Sequence, residues 1–155
     1  MAKFPTEVER IVTVKVPMAR AYEYLWDVIA SFHCIPGIAS CVRVGDDTYR
    51  FVYEERSMGP LSMVVRYTAR YEGNGKDTIQ FEGGAGEDDN TDVNGVIRLE
   101  PDRDGIRIVV KQMAAPDTPV PRLLQGMVRS FAEREAGAAL EKHLANVKRA
   151  LEESA

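Results

Sequence analysis

The sequence predicts an α+β fold: a curved antiparallel sheet of about seven strands around a long C-terminal helix, with short helices after the first strand. Three observations predict it. From residue 38 to 113 apolar and polar residues alternate in short runs separated by Gly, Pro, Asn or Asp, the period of strands with one buried face. From residue 118 to about 153 the apolar residues instead lie on two parallel ladders with a step of four, the mark of a helix whose stripe winds slowly around its axis. The order strand, short helix, strands, long helix sets that helix against one face of the sheet.

Residues 8–16 predict the first strand, with Val8, Val12, Val14 and Val16 on one face and Glu9, Thr13 and Lys15 on the other. Pro17 stops it. Residues 18–32 predict a helix carrying Ala21, Tyr22, Leu25, Trp26 and Ile29 on one side, and Pro36-Gly37 marks a turn. Strands follow over residues 38–44 and 48–57, the second with Tyr49, Phe51 and Tyr53 inward. Residues 61–72 set Leu61, Met63, Val65, Tyr67, Ala69 and Tyr71 on one face. Residues 78–82 turn Ile79 and Phe81 inward, residues 92–100 turn Val93, Gly95, Ile97 and Leu99, and residues 106–113 turn Ile106, Ile108 and Val110 before ending at Gln112. The turns at Gly45-Asp46-Asp47, Gly59-Pro60, Gly73-Asn74-Gly75 and Asp102-Arg103-Asp104-Gly105 are short enough for an antiparallel meander.

The closing helix is expected to start with Thr118 as N-cap and Pro119 at its first position. One ladder is Val120, Leu124, Val128, Ala132, Ala136, Leu140 and Leu144. The other is Leu123, Met127, Phe131, Glu135, Ala139, His143, Val147 and Leu151. A winding stripe of this kind suits a twisted, curved partner sheet.

The chain has 155 residues, enough for a single domain over residues 1–155 with a proper core. Its net charge of -4 argues against nucleic acid, which needs a basic patch. Two cysteines, Cys34 and Cys41, make no disulfide framework and point to a reducing, cytoplasmic setting. No apolar run suits a signal peptide or a spanning helix, and the chain reaches Ala155 without a hydrophobic tail that would anchor it.

At the order of elements, and at Cys34-Ile35-Pro36-Gly37, the chain resembles the START-like (SRPBCC, helix-grip) superfamily of polyketide cyclases and lipid-transfer domains. Within it the chain looks most like the G-subunit family of carbon monoxide dehydrogenase. Gly59-Pro60 opening a long strand, and Gly83-Gly84-Ala85-Gly86 ahead of a strand containing Gly95, add to that likeness. The resemblance implies a sheet bent around the C-terminal helix with an apolar cavity between them. It further implies binding of a lipid- or quinone-like molecule, or recruitment or maturation of an enzyme such as an oxidoreductase. Transient membrane contact belongs to the same expectation. The superfamily has no universal catalytic residue, so none carries over.

The expected pocket is lined by Val14, Trp26, Phe51, Tyr53, Met63, Val65 and Tyr67, together with Phe81, Ile97, Ile108, Leu124, Met127 and Phe131. Burial of the ligand's apolar surface would hold it, at about 25 cal/mol per Å², and a few polar groups would orient it. Glu135 and His143 interrupt the second ladder. Either they point into the cavity, or the stripe has wound far enough to leave them at its wet edge. For His143, the solvent-type neighbours Glu141 and Lys142 argue for the edge. Arg10, Glu55 and Gln112 stand at or near ladder ends, as a polar rim, an internal ion pair or plain edge exposure. Inward-facing tyrosines are explained by core packing, while their hydroxyls want partners.

Other chemistry finds little support. His33, Cys34 and Cys41 lack the spacing and the second half-site of a zinc centre, and buried small thiols account for the cysteines. Gly83 to Gly86 is followed by acidic residues and no helix, unlike a dinucleotide loop. Asp88-x-Asn90-x-Asp92 starts like a calcium loop but has Val93 and Leu99 where Gly and Glu are required. No Ser-His-Asp signature is present. Neither metal nor cofactor is expected. The expected function is non-catalytic binding of a hydrophobic small molecule by a monomer or homodimer. The alternative is a cyclase or dehydratase using Glu135 with a cavity tyrosine, Tyr53 or Tyr67.

Overall fold

The computed structural model describes residues 2–58, 61–84, 86 and 88–153. Strands β1 (Ala2–Lys3) and β2 (Thr6–Val14) are followed by helices α1 (Met18–Trp26) and α2 (Val28–Ser31) and a 3-10 turn at Phe32–Cys34. Then come β3 (Ile38–Gly45), β4 (Thr48–Tyr53), β5 (Arg56–Met58), β6 (Leu61–Met63), β7 (Arg66–Gly73), β8 (Thr78–Gly84), β9 (Thr91–Asp102) and β10 (Gly105–Thr118). A second 3-10 turn at Arg122–Leu124 leads into helix α3 (Gln125–Glu153). Every pairing is antiparallel, and the order runs β10-β9-β8-β7-β4-β3, with β1 and β2 both paired along the free side of β10. The sheet is therefore seven strands wide and grips α3, the helix-grip arrangement the sequence predicts.

The two halves of α3 bury different things. Leu140, Leu144, Val147 and Leu151 are almost fully buried, and they pack on Val14, Ile106, Ile108 and Leu99 from β2, β9 and β10. Their spacing of four, three and four follows the 3.6-residue turn closely. In the N-terminal half Val128 is the one large apolar side chain buried to the same degree, against Phe4, which follows β1. Between these two anchors the helix presents Ala132, Ala136 and Ala139 to the sheet. Short side chains opposite a concave sheet leave space, and the larger part of the cavity forms there.

Several boundaries differ from the sequence reading. The helix does not begin at residue 118, because β10 continues to Thr118, so that residue is no N-cap and Pro119 is no first helical residue. Pro121 is extended (φ -54°, ψ 141°), and a proline holds the residue before it out of the helical region. The first helical block is broken at Asp27 (φ -81°, ψ 82°), whose carboxylate accepts a hydrogen bond from the Ala30 amide and caps α2. The break turns Ile29 outward, 44% exposed. Residues 48–57 and 61–72 are each interrupted, and β5 and β6 pair as a separate hairpin. Asn90 stabilises the second interruption. Its side chain donates to the Val64 carbonyl and accepts from the Arg66 amide, at 2.7 and 2.9 Å. Gly59-Pro60, and the Ala85 of the glycine-rich stretch, lie outside the described residues.

Candidate ligand-binding site

Two adjoining chambers lie between α3 and the sheet. The outer has a volume of about 190 Å³ and the inner about 110 Å³. Tyr53, Tyr67, Phe81, Gln112 and Ala139 line both. The floor rests on one cross-strand row, in which Gly95 stands directly between Phe81 on β8 and Gln112 on β10. A Cβ at position 95 would sit 2.5 Å from the Phe81 ring and 2.8 Å from the Lys111 carbonyl oxygen. The missing side chain thus lets Phe81 lie down over the sheet instead of standing up into the cavity.

The far end is closed by the turn at Cys34-Ile35-Pro36-Gly37, whose Ile35 and Pro36 line the inner chamber. Asn146 of α3 donates to the Cys34 carbonyl at 3.0 Å and ties that turn to the helix. Gly37 has φ +76°, a left-handed conformation that glycine adopts without strain. The near end is a mouth beside the β5–β6 hairpin. There Arg56 forms an ion pair with Glu135, with side chains 38% and 40% exposed.

Of the expected lining residues, Tyr53, Met63, Val65, Tyr67, Phe81, Phe131 and Glu135 surround the outer chamber. Ile97 and Ile108 reach the inner one. Five do not line either. Val14 and Phe51 are fully buried in packed core. Trp26 stacks on Tyr22, with ring centroids 6.4 Å apart, at the edge of the main core. Leu124 falls in the 3-10 turn, and Met127 is 45% exposed. The late start of α3 turns its first residues past the sheet, leaving even Leu123 97% exposed.

The polar residues sort differently from the sequence reading. His143 is not at the wet edge. It lines the inner chamber, and burial pushes its imidazole down to about 4 from an ordinary 6.5. Its neighbours Glu141 and Lys142 misled because adjacent helix positions face different ways. Glu135 faces the outer chamber, but its carboxylate is engaged by Arg56. Gln112 lines both chambers, whereas Arg10 pairs with Glu141 at 2.9 Å and Glu55 accepts from Ser62 on the exposed hairpin. Arg56 was missed because nothing in its alternation marks the break that swings β5 over the helix.

The cavity tyrosines make one direct bond among themselves, Tyr53 Oη to Tyr67 Oη at 3.1 Å. Burial raises the pKa of Tyr53, Tyr67 and Tyr71, so all three stay protonated at neutral pH. Burial likewise pushes the Cys41 thiol up to about 11, which leaves it a poor nucleophile. Cys34, also buried, lies 3.3 Å from the Tyr24 hydroxyl. Among the described residues no cluster of His, Cys, Asp and Glu could hold a metal ion. No helix among them is long and apolar enough to cross a membrane.

Three solved structures share the arrangement. A protein from Thermus thermophilus superposes with a TM-score of 0.72 at 17% identity, covering 97% of this chain and 99% of that one. A STAR-related lipid transfer protein fragment from Xanthomonas axonopodis gives 0.65 at 18% identity, over 94% and 85%. The Zhui aromatase/cyclase from Streptomyces sp. R1128 gives 0.60 at 16% identity, over 94% of each chain. At these identities the likeness is one of fold. No curated protein sequence matches the chain. Residues 5–152 match the family described as polyketide cyclase / dehydrase and lipid transport. The chain belongs to the polyketide cyclase / dehydrase and lipid transport family, and its cavity lies between the sheet and the helix it grips.

Proposed function

We propose that the protein is a non-catalytic carrier of a small hydrophobic molecule, lipid- or quinone-like, held in the two chambers under α3. The observation that carries this is the lining of the outer chamber. It is mostly apolar, and the one acid on it, Glu135, is neutralised by Arg56. An engineered apolar cavity of about 150 Å³ takes up benzene, so chambers of this size suit one or two rings or a short chain. Met63 beside Phe131 forms a wall that adapts to more than one shape. The likeness to the G-subunit family of carbon monoxide dehydrogenase suggests delivery to, or maturation of, an oxidoreductase in the cytoplasm.

The cyclase reading needs a free carboxylate working with a tyrosine. The Arg56–Glu135 pair counts against it, because the carboxylate that would have to act on a substrate is already engaged by the guanidinium. Native mass spectrometry of freshly purified protein, with organic extraction, tests the carrier reading. Bound apolar molecules released unchanged support it. Protein that is empty, and that binds no quinone, fatty acid or apolar fluorescent probe, refutes it.

A further inference from the structure

The inner chamber is polar in an unusual way. It carries five hydrogen-bonding side chains, Tyr53, Tyr67, Tyr71, Gln112 and His143, and not one charged residue. These side chains are partly buried and open onto the chamber, where a ligand can complete their hydrogen bonds. Here the only bond among the five is the one between Tyr53 and Tyr67. Two hydroxyls hold two protons and spend one between them, so one donor is left over. The Tyr71 hydroxyl, the Gln112 amide and both imidazole nitrogens of His143 make no hydrogen bond to described residues. His143 is the most telling, since it projects from α3 at the closed end while the rest of the helix wall there is Ala139, Leu140, Leu144 and Val147.

We infer that the inner chamber recognises the uncharged oxygen-bearing end of the ligand, a phenol, alcohol or ketone, with His143 as the specificity-determining residue. This rests on the carrier reading and narrows its ligand class. A neutral imidazole offers one donor and one acceptor, and the surrounding amide and hydroxyls offer both as well. A hydroxyl entering the chamber can therefore give and receive. A carboxylate would lose its water and find no cation, because no Arg or Lys lines the inner chamber among the described residues, and Arg56, which lines the outer one, is already paired. Burying an ion without a partner is far costlier than burying a hydroxyl with one. Burial also holds His143 neutral at physiological pH, so it cannot supply the missing positive charge.

Three probes with the same rings separate the contributions: naphthalene, 1-naphthol and 1-naphthoate, titrated by fluorescence or calorimetry at neutral pH. The expected order is naphthol tightest, by roughly fivefold to tenfold over naphthalene, the worth of about one net hydrogen bond, with naphthoate weakest. His143→Phe should remove the advantage of naphthol while naphthalene still binds. Imidazole NMR on the unaltered protein gives a readout that does not depend on that variant folding. The chain has only two histidines, and His33 is exposed. The His143 ring signals should shift with naphthol and much less with naphthalene. If naphthalene binds and the hydroxyl adds nothing, or if naphthoate binds as well as naphthol, the inference about the polar end is overturned and the carrier reading stands. If none of the three binds, the inference is overturned, and the native mass spectrometry and extraction decide the carrier reading separately.

Discussion

Acidification should unfold this protein partly through one side chain. His143 has an ordinary pKa of 6.5 when the chain is unfolded and is pushed down by burial to about 4 in the fold. The unfolded state therefore binds the proton first. The stabilisation is complete above pH 6.5 and is lost as the pH falls from there through 4, because the folded chain must either bury a cation or open. The groups facing the imidazole do not confuse the reading. Tyr53, Tyr67 and Tyr71 have raised pKa values and keep their protons throughout, and Gln112 does not titrate. Linkage gives a loss of about 2 kcal/mol between pH 7.5 and pH 5, and about 3 kcal/mol by pH 4. The assay is urea unfolding of the protein and of His143→Phe across that range, followed by tryptophan fluorescence, since Trp26 is the sole tryptophan. Subtracting the two curves cancels the carboxylates common to both. The difference should bend below pH 6.5 in the sense that the histidine-containing protein loses more. A flat difference would overturn this account, for it would mean that His143 reaches water in the folded state.

Four further outcomes follow from the geometry. Leu140→Ala, at a residue 1% exposed, should cost about 2–5 kcal/mol in denaturant unfolding, while Leu123→Ala, at 97% exposure just ahead of the same helix, should stay within about 0.5 kcal/mol. Gly95→Ala should displace the Phe81 ring upward, lowering the melting temperature and weakening probe binding together. Ala136→Leu fills the outer chamber from the helix side, so apolar probes should bind at least roughly tenfold more weakly, the loss of about 1.4 kcal/mol of contact, while thermal stability is kept. Arg56→Ala breaks a half-exposed ion pair and should cost no more than about 1 kcal/mol, and less in high salt, by thermal melts at two ionic strengths.

The inward faces were legible because alternation is a property of the backbone. Tyr49 and Phe51 on β4, and Ile79 on β8, are buried as their period requires. The break between β6 and β7 was not legible. The apolar alternation runs on through Val65, and the bonds that hold the break come from Asn90, 24 residues beyond Arg66. The start of α3 was half-legible. Pro119 and Pro121 both favour a helix start in isolation, and the second overrules the first because Val120, ahead of it, must stay extended. His143 was misread from its chain neighbours, although its place on the ladder already pointed inward.

Local pattern was enough to say which residues face inward, that a long helix closes the fold, and that its stripe needs a curved partner. It could not separate residues that line a cavity from those that fill a core, because both carry the same period. Val14, Phe51 and Tyr67 all sit on inward ladders, yet the first two are packed solid and the third faces the cavity. What folding set opposite each one made the difference. Where α3 presents Leu140 and Leu144 only the smaller inner chamber remains, and where it presents Ala132, Ala136 and Ala139 the larger outer one opens. Side-chain volume across a gap between elements distant in the chain is a non-local quantity, and no local period encodes it.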